Sequence, residues 1–157
     1  MKDLHDVEFI REYAVSVSRL WNAVTRPDQV VQWFGTEGVR LETCQLDLTQ
    51  TGPWLCVMIG TDSGNRFKVS GHVTHVTPPQ NGGAGSVGFT WGWHDDTDAR
   101  GPDSHVTFTV APIETGARFT LTHRDLATVD SAQSHSRGWL STLNRLDQFV
   151  TTLSTPT

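Results

Sequence analysis

The sequence predicts an α+β fold in which an antiparallel sheet curls around a long C-terminal helix. Residues 131–153 carry an apolar stripe at alternating spacings of four and three residues, which indicates a helix with one buried face. Residues 39–126 instead have the pattern of six consecutive strands separated by turn-forming residues. A sheet with one apolar face must bury that face, so we expect it to wrap around the terminal helix.

Length, charge and hydropathy exclude several classes of protein. The 157 residues suit a single domain over residues 1–157, with a core expected at about 7–153. A net charge of −5 lacks the basic footprint of a nucleic-acid-binding protein. No apolar run approaches the roughly 20 residues of a membrane span, and residues 1–6 lack the apolar segment of a secretory signal. We therefore expect a soluble, cytoplasmic protein.

The N-terminal part of the chain predicts one strand followed by two short helices. Residues 8–16 alternate between apolar and polar side chains, as a half-buried strand does. Ser16 or Ser18 can cap a first short helix, and Pro27 begins a second one that Gly35 ends. Two short helices in this position form a cradle-like corner and not a βαβ crossover.

The following segments are predicted as strands because turn-forming residues separate them. They are residues 41–48, 54–60, 66–76, 87–93, 106–110 and 118–123. The period of two assigns one apolar set of side chains to the face that meets the helix. That set includes Phe67, Val69, Val73, Phe89, Trp91, Trp93, Val106, Phe108, Val110, Phe119, Leu121 and His123.

The terminal helix changes character along its length. Its apolar stripe runs from Trp139 to Leu153 and is widened by Leu140 and Phe149, whereas residues 132–138 are small or polar on the same face. One interpretation is that the second half of the helix anchors the core while the first half roofs a pocket. The alternative is a frayed, solvent-exposed first turn.

Two cysteines lie on neighbouring predicted strands. Cys44 and Cys56 can approach each other across a hairpin centred near Gln50, so a disulfide is geometrically conceivable. Because the chain shows no secretory signal, we expect both thiols to be reduced and packed as small hydrophobic groups.

Two motif matches fail on their context. Residues 83–88 match a dinucleotide-binding glycine pattern, but they enter a strand where that mechanism needs the start of a helix. The acidic loop of residues 95–103 matches a calcium loop only in part, because Arg100 and Thr107 occupy ligand positions. No catalytic triad is recognisable, and we expect no cofactor and no metal.

Among the histidines, only His123 shares a face with the predicted core aromatics. It can hydrogen-bond a ligand or act as an acid or base, or it is a core histidine satisfied by a carbonyl or hydroxyl group. His72 and His75 point to opposite faces of one strand, which prevents them from sharing a metal. We expect His94, at a strand end, to be exposed.

The aromatic residues are numerous for a domain of this size. They either fill the core or wall a pocket for a flat apolar molecule. For the second case we assign the pocket wall to Trp33, Trp91, Trp93, Phe108, His123 and Trp139, with His123 or His135 as a polar contact.

Several short segments together resemble a known family. They are residues 20–25 with Pro27 and Trp33-Phe34, Asp47-Leu48 with Gly52, residues 71–79, residues 89–91, residues 119–123, and Gly138-Trp139 with Leu143 and Leu146. In this order and spacing they resemble the homologues of the Hsp90 ATPase activator, within the START-like, Bet v 1-like (SRPBCC) superfamily of helix-grip proteins. The resemblance spans nearly the whole chain, but residues 49–53 lack the arginine and paired glycines that are commoner in the family.

The resemblance implies a cavity between the curved sheet and the terminal helix. We therefore predict a protein that binds a hydrophobic or aromatic small molecule, such as a lipid or a polyketide-like metabolite, without catalysis. One alternative is a cyclase or hydrolase that uses His123 in the same pocket. Another is a module that interacts with the Hsp90 chaperone, which would need an exposed apolar patch.

Overall fold

A computed structural model describes residues 5–154. Residues 1–4 and the last three residues of the predicted domain lie outside this range. The expected lack of a secretory signal rests partly on residues 1–4. The helices and strands are β1 (His5–Tyr13), α1 (Val17–Thr25), α2 (Pro27–Val30), β2 (Val39–Gln45), β3 (Gly52–Gly60), β4 (Arg66–Thr77), β5 (Gly85–Trp93), β6 (Ser104–Ile113), β7 (Gly116–Leu126) and α3 (Val129–Ser154).

The seven strands form one antiparallel sheet in the order β1-β7-β6-β5-β4-β3-β2. Strand β1 therefore crosses to pair with β7, and β1 and β2 are the two edges of the sheet. The long helix α3 packs on the apolar face, and the short helices α1 and α2 connect β1 to β2, with α1 packed against β6, β7 and α3. The predicted α+β helix-grip architecture is confirmed.

Local sequence explains the corner formed by the short helices. The Ser16 hydroxyl accepts a hydrogen bond from the Arg19 backbone N–H at 3.1 Å and caps α1. Pro27 occupies the first turn of α2, where its missing N–H costs nothing. The predicted extension of this second helix to Phe34, with Gly35 ending it, is wrong, because α2 ends at Val30 and irregular turns follow.

Strand β2 ends earlier than the predicted residue 48. The backbone N–H of Leu48 donates to the carbonyl of Thr25 at 3.1 Å. At this point the chain therefore no longer pairs with β3 and is hydrogen-bonded instead to the last residue of α1. Leu46 and Leu48 are buried beneath this corner. A tertiary hydrogen bond thus overrides the strand pattern.

Helix α3 begins two residues before the predicted start because the Thr128 hydroxyl accepts a hydrogen bond from the Ser131 N–H at 2.9 Å. Its stripe of Trp139, Leu143, Leu146 and Val150 is buried as predicted. The expected contribution of Leu140 is wrong, since this side chain is 43% exposed.

Two polar contacts also fix α3 against the rest of the molecule. Tyr13 on β1 donates its hydroxyl hydrogen bond to Asp147 at 2.6 Å, and burial together with this contact raises the pKa of Tyr13. Arg145 donates to the carbonyl groups of Phe34 and Gly35 at 3.1 and 3.2 Å. The helix is thus attached to one edge strand and to the turn after α2.

Two predicted orientations differ from the structure at strand ends. Phe67 was expected to face the helix, but it is 44% exposed near the start of β4. Trp93, at the end of β5, does meet α3 as predicted, although 36% of its surface is exposed. His94 was expected to be exposed, yet the loop after β5 folds back over it. Its ring nitrogens lie 2.7 Å from the Ser70 hydroxyl and 2.9 Å from a carboxylate oxygen of Asp98.

Cys44 and Cys56 form a disulfide between β2 and β3, so the expectation of reduced thiols is wrong. The antiparallel register places them directly opposite each other, with Cα atoms 4.2 Å apart. The positions of the two cysteines on neighbouring strands suggested that they lie close together. The expectation of reduced thiols, however, rested on the cellular compartment and not on geometry.

We expect loss of this disulfide to lower the free energy of unfolding by about 3 kcal/mol, because the bond closes a loop with a sequence separation of 12. Urea unfolding of the oxidised protein and of a C44S/C56S double variant measures the difference. Alkylation of both cysteines in the unfolded protein without reductant would contradict the assignment. The same alkylation, applied directly to cells, reports the state of the thiols where the protein works.

Candidate functional site

A cavity lies beneath the first half of α3, and we call it the front cavity. It has a volume of about 90 Å³. Its walls come from the turn after α2 (Phe34, Gly35, Thr36), β3 (Met58), β5 (Trp91, Trp93) and α3 (Ser134, His135, Gly138, Trp139, Thr142).

The lining of the front cavity is apolar and carries no charged side chain. Among its polar groups, the Thr142 hydroxyl is already bonded to the Gly138 carbonyl at 2.9 Å. Four aromatic rings and the Met58 thioether supply most of the wall. Such a surface favours contact with uncharged, apolar molecules.

Glycines give the front cavity its shape at two points. Gly35 has φ +98°, and a Cβ atom there would lie 3.2 Å from Val39 and 3.3 Å from the Met58 sulfur, so the turn needs glycine. Gly138 differs, because a Cβ atom would meet nothing closer than Thr36 at 3.7 Å. A glycine inside a helix costs about 1 kcal/mol relative to alanine. The fold does not require Gly138, but its missing side chain leaves the cavity open.

A second cavity of about 150 Å³, here the rear cavity, lies beyond the same aromatic wall. Residues 101–104, residues 125–127 and Ser131 line it, and it shares Trp91, Trp93 and His135 with the front cavity. These three rings therefore form the partition between the two spaces.

The three rings of the partition contact one another, and one hydrogen bond joins two of them. Trp93 Nε1 donates to His135 Nε2 at 3.0 Å. His135 Nδ1 lies 2.8 Å from the Ser131 carbonyl oxygen, so this nitrogen carries the proton and Nε2 offers its lone pair to Trp93. Burial lowers the pKa of His135, while the bond to Ser131 opposes that shift. The neutral ring is the form that accepts the indole N–H.

A buried hydrogen-bonded chain lies behind the partition. Trp139 Nε1 on α3 donates to Nδ1 of His123 on β7 at 2.9 Å. His123 Nε2 consequently carries the proton and donates to the Ser104 hydroxyl on β6 at 2.6 Å. The Ser104 hydroxyl then donates to the Trp91 carbonyl on β5 at 3.3 Å.

His123 is fully buried within this chain. Burial, reinforced by His135, whose ring centroid is 4.8 Å away, lowers the pKa of His123 to about 3. Both ring nitrogens are bonded within the protein, and His123 lines neither cavity. The geometry matches a satisfied core histidine, as one of the two interpretations of the sequence described.

Trp91 stands at the centre of the aromatic cluster. Its ring centroid lies 5.3 to 5.6 Å from the rings of Trp54, Trp93, His123 and Trp139. Within residues 5–154, its Nε1 is the one buried side-chain nitrogen or oxygen that lacks a hydrogen-bond partner. An unpaired buried donor is costly, and Trp91 is also a wall residue of both cavities.

The structure divides the seven predicted site residues into two groups. Trp91, Trp93, His135 and Trp139 come together around the front cavity. Trp33, Phe108 and His123 are fully buried in the core behind it. The Trp33 indole N–H donates to the Ala23 carbonyl at 2.8 Å, which fixes this ring beneath α1.

Sequence reasoning missed several residues that line the front cavity, namely Phe34, Gly35, Thr36, Met58 and Thr142. Most of them belong to irregular turns or lie at positions that depend on how α3 crosses the sheet. Ser134 lies within residues 132–138, the part of the helix that one interpretation placed over a pocket. Gly138 did carry a usable signal, because a glycine inside an amphipathic helix needs a reason.

Two features are absent from residues 5–154. None of the helices there has both the length and the apolar character required to cross a bilayer. In the same part of the chain, no three His, Cys, Asp or Glu side chains come together in a group that can hold a metal ion.

Residues 14–151 match the family model described as activator of Hsp90 ATPase homolog 1-like protein. A solved structure of the AHSA1 protein from Silicibacter pomeroyi is 44% identical and has a TM-score of 0.86, covering 94% of this chain and 98% of that one. None of the curated proteins compared matches this sequence.

More distant structures share the fold alone. A protein from Chromobacterium violaceum is 18% identical, with a TM-score of 0.75 over 90% of this chain and 94% of its own. DynU16, a protein of the dynemicin biosynthetic locus, is 22% identical with a TM-score of 0.70 over 94% of this chain and 47% of its own.

The lowered pKa of His123 predicts that acid destabilises the fold. Between pH 6.5 and about 3 the unfolded chain binds a proton that folded His123 does not, so the free energy of unfolding falls as the pH falls. The slope from this group approaches about 1.4 kcal/mol per pH unit. Urea unfolding of the wild type and H123Q from pH 7 to 4 measures it. Equal slopes in the two proteins would contradict this prediction, and ¹⁵N shifts at pH 5 report the Nε2–H tautomer independently.

Proposed function

Since the chain belongs to the family of activator of Hsp90 ATPase homolog 1-like proteins, we propose that it uses its helix-grip fold to bind an uncharged hydrophobic or aromatic small molecule in the front cavity. The observation that carries this proposal is the lining of the cavity, in which Phe34, Trp91, Trp93 and Trp139 surround a space with no charged side chain. Flat rings and acyl chains, as in polyketide-like metabolites and lipids, complement such a wall.

The size of the cavity restricts the ligand further. Its volume of about 90 Å³ is below the roughly 300–1,000 Å³ typical of sites for drug-sized molecules. A small aromatic molecule suits the cavity as it stands, whereas a larger one requires part of the wall to move. Trp93, at the end of β5, is the most exposed of the four large aromatic side chains in the wall, at 36%.

The two rival functions have less support. A cyclase or hydrolase that uses His123 as acid or base would need a ring nitrogen facing the ligand, but both are bonded to Trp139 and Ser104. A chaperone-interacting role rests on the description of the family alone. The exposed large apolar side chains among the described residues, Ile10, Phe67, Trp93, Val129 and Leu140, belong to four different elements. A cytoplasmic location remains a prediction from the sequence.

We expect G138L to abolish ligand binding, because leucine at this position projects into the open space beneath α3. Titration with naphthalene, a short uncharged aromatic probe, followed by tryptophan fluorescence and amide shifts, measures binding to the wild type and the variant. G138A should instead stabilise the protein by up to about 1 kcal/mol, because alanine favours the helix.

Q148L, an exposed position on the same helix outside the cavity lining, is the matched control and should bind as the wild type does. If the probe binds the folded G138L variant with unchanged affinity, the front cavity is not the site. If the wild type binds no uncharged aromatic probe, the proposed function is wrong.

A further inference from the structure

The partition between the two cavities is built in a way that allows it to open. One hydrogen bond, from Trp93 Nε1 to His135 Nε2, and a tilted ring contact with centroids 6.3 Å apart connect the two side chains. Trp93 is 36% exposed at the last position of β5 and lies outside the buried core, so its ring can turn outwards without disturbing the core packing. Trp91, the third ring of the partition, is buried and stays in place.

Separating Trp93 from His135 leaves one donor and one acceptor without partners. The indole N–H can only donate. His135 Nε2 can only accept, because Nδ1 keeps its proton on the Ser131 carbonyl. A group inserted between them must therefore accept from Trp93 and donate to His135.

A hydroxyl group meets both requirements at once. A carboxylate can accept from Trp93 but leaves the His135 lone pair unsatisfied, and an ammonium group has the opposite defect. The rear cavity also disfavours an anion, since the carboxylates of Asp103 and Asp125 stand at its wall. These carboxylates are already bonded to Arg100 and His105, respectively.

We propose that the Trp93–His135 pair is a gate, and that the ligand is an elongated apolar molecule whose hydroxyl group bridges the two side chains when the front and rear cavities join. The inference rests on the proposed function, because it assigns a ligand class and a second chamber to the same site. The front cavity holds the aromatic part of the ligand, and the rear cavity of about 150 Å³ receives the part beyond the hydroxyl group.

The test compares naphthalene as a short probe with biphenyl and hydroxybiphenyls as elongated probes, using tryptophan fluorescence and amide shifts. We expect the wild type to bind the best hydroxybiphenyl isomer about tenfold tighter than biphenyl, as two satisfied hydrogen bonds imply. The preference should fall below about twofold in W93F and in H135F, which keep an aromatic ring but each remove one partner.

A rear-cavity variant provides a second readout. A127L should weaken binding of the elongated probes and leave naphthalene unaffected, because Ala127 lines the rear cavity only. A111L, on β6 and outside both linings, is the matched control. The gate would be overturned if biphenyl and the hydroxybiphenyls bind the wild type with equal affinity, or if H135F keeps the preference for the hydroxybiphenyl. In either case, naphthalene binding would still support the front cavity as the site. If no probe binds at all, the proposed function itself fails.

Discussion

The hydrogen-bonded chain from Trp139 through His123 and Ser104 to the Trp91 carbonyl joins α3 to the three adjacent strands β7, β6 and β5. Every group in it is buried, so breaking any contact leaves a polar atom without water or a protein partner. The helix can therefore take one position along its axis and one rotation about it. That constraint fixes which side chains of α3 enter the core and which lie over the cavities.

The position of Trp139 divides the helix into two regions. On its C-terminal side, Leu143, Leu146 and Val150 pack against the sheet and close the space completely. On its N-terminal side, Gly138 and Ser134 leave room that the Trp91 ring does not fill. The aromatic cluster is continuous across this boundary, so the same residues serve as core on one face and as cavity wall on the other. Rigid packing behind the wall is what keeps the cavity from collapsing.

Periodicity predicted those elements whose burial depends on a regular pattern, namely α3, β1 and the six strands that follow the short helices. It could not predict features decided by contacts between distant residues. Leu48 leaves the strand because Thr25 binds its N–H, and Cys44 meets Cys56 because of the register between β2 and β3. For the site, strand alternation identified Trp91 and Trp93, but Thr36 and Met58 approach α3 only through the tertiary fold.

The order of the sheet has a consequence for how the chain is made. Strand β1 is synthesised first, yet its partner β7 is the last strand to appear, and Tyr13 is 134 positions away from Asp147. During translation, β1 is an unpaired, half-apolar segment until β7 has left the ribosome. Strands β2 to β7 pair only with sequence neighbours among themselves, so they can form a meander before β1 joins. When β1 finally pairs with β7, it completes the fold. It also supplies the edge strand to which α3 is attached through Tyr13 and Asp147.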